Sequence, residues 1–312
     1  MKPAPFEYCR PDTIAEALDL LAGRREQAAV LAGGMSLGPM LNLRMVRPRS
    51  VIDISRLAGL AGIELRGDRL VTGATVIQAD ALDSGLVRTE LPLLALALPW
   101  VGHFQTRNAG TLGGSVAHAD PSAEIPLCAV VSDASVVLRS RRRERRVRAR
   151  DFFTGALATM RAPDELLVAI EWPRAPADAG HAFEEIAQRH GDFAIAAAAC
   201  QIRLDDSDRI AALALGLGGV EDRPIAVETA AFVGRPADAA TAQVVAQHIH
   251  ESVDPMEDHT ASSDYRRALA QVLAERVVLR AAVDARRKRG GAAVWKQSVV
   301  LENRVDVPAV GR

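Results

Sequence analysis

Cysteine is scarce in this chain: Cys9, Cys128 and Cys200 are the only three among 312 residues, and no two form a Cys-x-x-Cys pair. An iron–sulfur cluster takes four thiolates and a structural zinc four clustered ligands, so the chain builds neither from its own side chains. Each cysteine reads instead as a small buried apolar residue. Histidine offers no substitute. His248 and His250 stand two apart on a predicted helix, where i and i+2 face different ways, and His259, His103 and His118 lack the partners of a zinc site or a hydrolytic triad.

An excess of one charge is also missing. The 38 basic and 39 acidic residues leave a net charge of −1, with no general pull toward nucleic acid or anionic lipid. The arginine run Arg139-Ser140-Arg141-Arg142-Arg143-Glu144-Arg145-Arg146 carries no interleaved aromatics and reads as a solvated hairpin tip. No apolar run reaches the roughly 18 residues of a membrane span. The start, Met1-Lys2-Pro3-Ala4-Pro5-Phe6-Glu7, has no apolar segment of the secretory kind. These absences lead to the expectation of a cytoplasmic protein.

What is present is apolar mass and glycine. Apolar residues make up 49% of the chain, enough for more than one core. Thr13 and Glu16 form a capping box for a helix over Ile14–Gly23 with a glycine stop. Strands are expected at Ala28–Leu31 and Ser50–Ile54, and a hairpin over Gly62–Val76 turning at Gly67-Asp68. Gln78–Val101 reads as helical with a break near Leu91-Pro92. Further strands are expected at Leu127–Val131, Ala134–Leu138, Arg145–Ala149 and Leu166–Glu171. After a linker at Arg174–Gly180 come paired strands, Ala194–Leu204 and Ile210–Gly216, then helices over Thr241–Glu251 and Asp264–Lys288.

Two glycine turns stand out. Gly110, Gly113 and Gly114 lie within five residues, and Gly33-Gly34 follows an apolar run. Glycine reaches positive φ and lets backbone approach a ligand with no Cβ between, and successive free N–H groups make a nest for anions. Neither turn has the dinucleotide or P-loop spacing. Two separated turns suggest one long diphosphate ligand gripped from both sides.

The motif Ala32-Gly33-Gly34-Met35-Ser36-Leu37 with Pro39, and Arg107-Asn108-x-Gly110-Thr111-x-Gly113-Gly114 with Ala119-Asp120-Pro121-x-x-Glu124-x-Pro126, resembles the FAD-binding medium subunit of the molybdenum hydroxylases. That family includes xanthine dehydrogenase, carbon monoxide dehydrogenase and the bacterial N-heterocycle hydroxylases. The resemblance continues through Arg189-His190-Gly191-Asp192-Phe193-Ala194 and Asp264-Tyr265-Arg266-Arg267, to about Gly290.

The resemblance implies an α+β architecture: a two-lobed FAD-binding unit of the vanillyl-alcohol-oxidase type, then a C-terminal domain of a small antiparallel sheet and helices. It places the first lobe at 1–55, the second at 56–175, the C-terminal domain at 176–290 and a tail at 291–312. It also implies FAD held in the cleft, with backbone N–H groups from Ala32, Gly33, Gly34, Met35, Ser36 and Leu37 on one side. Thr111, Leu112, Gly113, Gly114 and Ser115 supply them on the other. Asp120 and Glu124 are further candidates, Glu124 as acceptor for ribose or ribityl hydroxyls. Val101, Leu167 and Glu184 align with positions near the cofactor, and His190 and Phe193 with the approach of the third domain to the flavin. Many relatives carry a basic residue where this chain has Asn42, which leaves Arg44 as the nearby cation. By the same resemblance the chain relays electrons from [2Fe–2S] clusters of a small subunit to an external acceptor. Substrate is hydroxylated at a molybdopterin cofactor on a large subunit, in a dimer of heterotrimers. The rival from another class is a stand-alone FAD oxidase, which needs a catalytic acid or base beside the flavin; only His190 offers one.

Overall fold

The computed structural model describes residues 2–290; the expected tail at 291–312 lies outside them. The first lobe is a three-stranded parallel sheet with β3 (Ser50–Asp53) between β1 (Glu7–Cys9) and β2 (Ala28–Leu31). Parallel neighbours need crossovers, supplied here by α1 (Ile14–Arg24) and α2 (Leu37–Asn42). Helix α1 buries Ala17, Leu18 and Leu21 against Ile52, Ile54 and Leu57. Each fully buried aliphatic side chain stabilises by about 1.5–3 kcal/mol. The Glu16 N–H donates to Thr13 Oγ1 (3.2 Å), while Glu16 Oε2 accepts from the Asp12 N–H (2.9 Å), one residue earlier than the expected box would close. Gly23 does not stop the helix. It ends one residue later, and Arg25, at φ +48°, makes the turn.

The second lobe is a five-stranded antiparallel sheet in the order β4 (Ile63–Arg66), β5 (Arg69–Gly73), β10 (Leu166–Pro173), β6 (Ser135–Arg139), β7 (Glu144–Arg148). Its helices are α3 (Gln78–Asp83), α4 (Gly85–Glu90), α5 (Pro92–Ala97), α6 (Phe104–Arg107), α7 (Leu112–His118), α8 (Glu124–Val131) and α9 (Ala149–Phe152), with a small hairpin of β8 (Phe153–Gly155) and β9 (Ala158–Thr159). The expected strand at Leu127–Val131 is therefore the body of α8. All eight of its residues are buried, so no polar face marks a helical period. The arginine run does form a hairpin tip, and several of its arginines are paired: Arg145 with Glu165 at 2.7 Å, Arg146 with Glu171 at 2.9 Å, Arg141 with Asp19 at 2.7 Å.

The third unit is an antiparallel sheet in the order β11 (Gly180–Ala187), β12 (Ala194–Leu204), β13 (Ile210–Gly218), β14 (Ile225–Ala226), with α10 (Ala239–Ser252) and α11 (Ser263–Arg289) on one face. Strand alternation sorts its residues. Ala182, Ala196, Ala198 and Cys200 join the core under α11, whereas Phe183, Ala197 and Ala199 join the core of the second lobe. A buried arginine fixes the junction. Arg266, 2% exposed, donates from Nη1 to the carbonyls of Ile195 (2.6 Å) and Gly219 (2.5 Å) and from Nη2 to Asp258 (2.7 Å). The Gly219 N–H, on a residue at φ +69°, donates in turn to the Pro121 carbonyl (2.7 Å). No helix among the described residues is long and apolar enough to cross a membrane.

Candidate functional site

Strand β2 ends at Leu31 and delivers Ala32–Ser36 to the cleft between the lobes as an irregular turn. Gly34 sits at φ +73°, which a side chain would strain. Among the described residues, the N–H groups of Gly33, Gly34, Met35 and Ser36 donate to no protein acceptor. Four successive amides without partners at a cavity wall are what an anionic ligand can complete.

The second turn behaves differently. The Leu112 N–H donates to Val76 O (2.9 Å), Gly113 to Ala74 O (3.1 Å), Gly114 to Thr111 Oγ1 (3.0 Å) and Ser115 to Thr111 O (3.1 Å). These four donors are consumed inside the protein, a correction to the expectation that they are offered to a ligand; of the five expected, the Thr111 N–H alone has no protein acceptor among the described residues. Gly113 and Gly114 are not at positive φ either. They are small because space is short: a Cβ on Gly113 would stand 2.5 Å from Ala74 Cα, and one on Gly114 2.6 Å from Thr111 Oγ1. The two turns touch directly, since a Cβ on Gly33 would overlap the Ala109 carbonyl. Arg107 braces this contact by donating to the Val101 and Gly102 carbonyls (both 2.9 Å), and Asn108 Nδ2 to the Phe104 carbonyl (2.8 Å).

Between the turns lies a cavity of about 560 Å³, of the size that holds a cofactor. Of the expected residues, Ala32–Leu37, Val101, Thr111, Gly113, Gly114, Ser115, Asp120, Glu124 and Leu167 line it. Leu112 does not; it is fully buried in the core of the second lobe. Glu184 does not either. Its carboxylate faces α11, 2.9 Å from Arg276 and 2.9 Å from Arg280. Its neighbour Glu185 takes the opposite face of β11, toward Glu124, because a one-residue step along a strand reverses the side chain. Arg44 turns away too, donating from Nε to the Lys2 carbonyl (3.2 Å).

Glu124 opens α8 at 7% exposure, and Glu185 is 6% exposed with Oε2 lacking any hydrogen-bond partner. Burial raises both carboxyl groups above the usual carboxylate value; Asp120 adds to the effect on Glu124, and Glu124 to that on Glu185. The third unit reaches the mouth through Gly191, Asp192 and Phe193, the last 67% exposed, while His190 stacks on Trp100 at 6.1 Å. Gln78, His118 and Arg161 also line the cavity, and Gln78 Oε1 is buried without a partner. His118 follows Gly114 by four on α7, a helical spacing legible in the sequence. Nothing local marks Gln78 or Arg161.

Comparison with known proteins adds to this geometry. Residues 4–175 match the family model "FAD binding domain in molybdopterin dehydrogenase" and residues 181–281 the "CO dehydrogenase flavoprotein C-terminal domain". The chain is 37% identical over 285 residues to the caffeine dehydrogenase subunit beta of Pseudomonas sp. (strain CBB1), covering 90% of this chain and 96% of that one. Over 280 residues it is 32% identical to the carbon monoxide dehydrogenase medium chain of Hydrogenophaga pseudoflava, covering 89% and 97%. Among solved structures, a chain of carbon monoxide dehydrogenase from Hydrogenophaga pseudoflava superposes with a TM-score of 0.88 at 33% identity, covering 91% of this chain and 99% of that one. A chain of quinoline 2-oxidoreductase from Pseudomonas putida 86 gives 0.87 at 34%, covering 91% and 99%.

Proposed function

The chain belongs to the family of FAD-binding medium subunits of the molybdenum hydroxylases, and from that premise we propose that it is the electron relay of a multi-subunit oxidoreductase. Its cofactor is FAD. When bound, the flavin supplies the redox chemistry and the protein positions it. Residues 1–55 and 56–175 form the two lobes around it, and 176–290 the domain that closes over its exposed edge. The observation that carries this reading is the set of unpartnered amides at Gly33, Gly34, Met35 and Ser36, facing a cavity between the lobes. They bind a diphosphate without requiring lysines to be desolvated. Glu124 holds hydroxyl groups of the cofactor, Val101 and Leu167 exclude water, and Phe193 stands over the mouth.

Electrons arrive from [2Fe–2S] clusters on a small subunit and leave to an external acceptor, while hydroxylation takes place at a molybdopterin cofactor on a large subunit. The complex is a dimer of heterotrimers in the cytoplasm. The test is native purification through a tag on this chain, with mass determination and flavin, iron and molybdenum analysis. The expected result is all three cofactors in a three-chain complex; a metal-free homo-oligomer from the native host overturns the assignment. In addition, the isolated flavin-loaded chain should be reduced by dithionite yet oxidise no organic substrate. Turnover by the isolated chain near the rate of the complex would refute the relay.

A further inference from the structure

Arg161 is the one lysine or arginine among the described residues that line the cavity. Its Nη1 donates to the main-chain carbonyls of Glu165 (2.8 Å) and Ala162 (3.2 Å), which fixes the guanidinium without neutralising it. Among the described residues, Nε and Nη2 donate to nothing, and no carboxylate forms an ion pair with this arginine. The acid whose charge it feels, Glu165, is committed elsewhere: to Arg145 at 2.7 Å, to Arg143 at 3.5 Å and to the Ala162 N–H at 2.9 Å. The other acids on the wall are no better placed as counter-ions. Asp192 pairs with Arg189 at 3.2 Å, Asp120 accepts the Ser122 N–H at 2.9 Å, and Glu124 forms no ion pair. Burial pulls the Arg161 pKa down, but a guanidinium stays charged at any working pH. A cation held at a cavity wall without a counter-ion is unfavourable until a ligand completes it.

We propose that Arg161 is the anion anchor of the cavity, its free Nε and Nη2 edge hydrogen-bonding the diphosphate of the bound cofactor. The inference rests on the FAD reading and adds to it a fixed positive charge, supplied from the strand side of the cleft to meet the amides of the first turn. Paired guanidinium donors suit phosphate oxygens. The site takes a nucleoside diphosphate more strongly than the uncharged nucleoside.

The test uses the full chain freed of flavin, with ADP and adenosine as probes in calorimetric titration and FAD retention read by absorbance. The wild type should bind ADP more tightly than adenosine, and the preference should shrink as salt is raised. Arg161→Gln should lower ADP affinity about tenfold or more, the size of a lost charged hydrogen bond, and leave adenosine affinity unchanged. That unchanged adenosine affinity also shows that the variant is folded. Arg161→Lys should recover part of the loss. An unaltered ADP preference in Arg161→Gln, or an equal loss for adenosine, overturns the inference while leaving the cofactor reading intact. A wild-type chain that retains no FAD and binds neither probe overturns both.

Discussion

The two glycine turns look alike in sequence and do different physical work. The first keeps its amides unpartnered and places Gly34 at positive φ, so it offers hydrogen bonds. The second spends the amides of Leu112–Ser115 on Ala74, Val76 and Thr111, and its glycines make room for close packing, Gly113 against the Ala74 backbone and Gly114 against the Thr111 hydroxyl. Beside its glycines, the second side brings Thr111, Ser115, His118 and, beyond them, Glu124 to the cavity wall. Glycine pairs therefore signal either ligand donors or close packing, and only the partners of their N–H groups tell which.

Substitutions can break this contrast. The largest effect is expected at the contact between the turns. Gly33→Ala drives a Cβ into the Ala109 carbonyl, and Gly113→Ala drives one to 2.5 Å from Ala74 Cα. Overpacking against backbone costs about 1–3 kcal/mol or more. Both variants should melt several degrees lower, and Gly33→Ala should also lose flavin; a normal melting curve with full flavin for Gly33→Ala would contradict the packing account.

The acid pair on the second side gives the next largest effect. Glu185 has its carboxyl raised by burial beside Glu124, so the folded chain keeps a proton that the unfolded chain releases. Its contribution to stability is therefore complete below the ordinary carboxylate range and is lost as pH rises toward the raised value. Glu185→Gln removes that loss and keeps the shape. The variant should be more stable than wild type above neutral pH, by about 1–3 kcal/mol, and lose the advantage near pH 4. Parallel curves of melting temperature against pH would rule this out. By contrast Glu184→Gln, which faces Arg276 and Arg280, should show no gain at high pH.

Smaller still is the conformational effect at Gly34. Gly34→Ala should cost about 1–2 kcal/mol, and Gly34→Asn less, because asparagine tolerates the left-handed region. Equal costs for the two would mean that crowding by Leu31, whose Cδ1 lies 3.1 Å from where a Cβ would stand, sets the penalty rather than φ. The smallest effect has the opposite sign. Gly23 lies inside α1 with open space around it, so Gly23→Ala should stabilise by about 0.5–1 kcal/mol without changing flavin content.

Much of the fold was legible because its signals are local. The Thr13 cap, the turn at Gly67 and the apolar runs of β12 and β13 each depend on neighbours in sequence. Helix α8 was not, since a segment buried on every side has no periodicity and reads as a strand. Strands β1 and β11 are short or bounded by long-range partners, and carry little signal of their own. The glycine and acidic motifs did identify the cavity wall, as the positions of Gly33, Gly114 and Glu124 show. Sequence alignment, however, cannot tell which face of β11 carries Glu184 and which Glu185. Arg161 enters through a connection between β9 and β10 that no motif marks.

The tie from Arg266 through Gly219 to Pro121 has a consequence for biosynthesis. The loop that carries Asp120 and leads into Glu124 is held by Gly219, which Arg266 on the last described helix fixes in turn, so its brace is incomplete until that helix has been made. Contacts between segments so distant in sequence form late, since chain closure must precede the bonds that reward it. The lobes can collapse as they leave the ribosome, but the floor of the cavity waits for α11. A chain cut before Ser263 should therefore retain less flavin than the full chain, because its cofactor site is left without this brace.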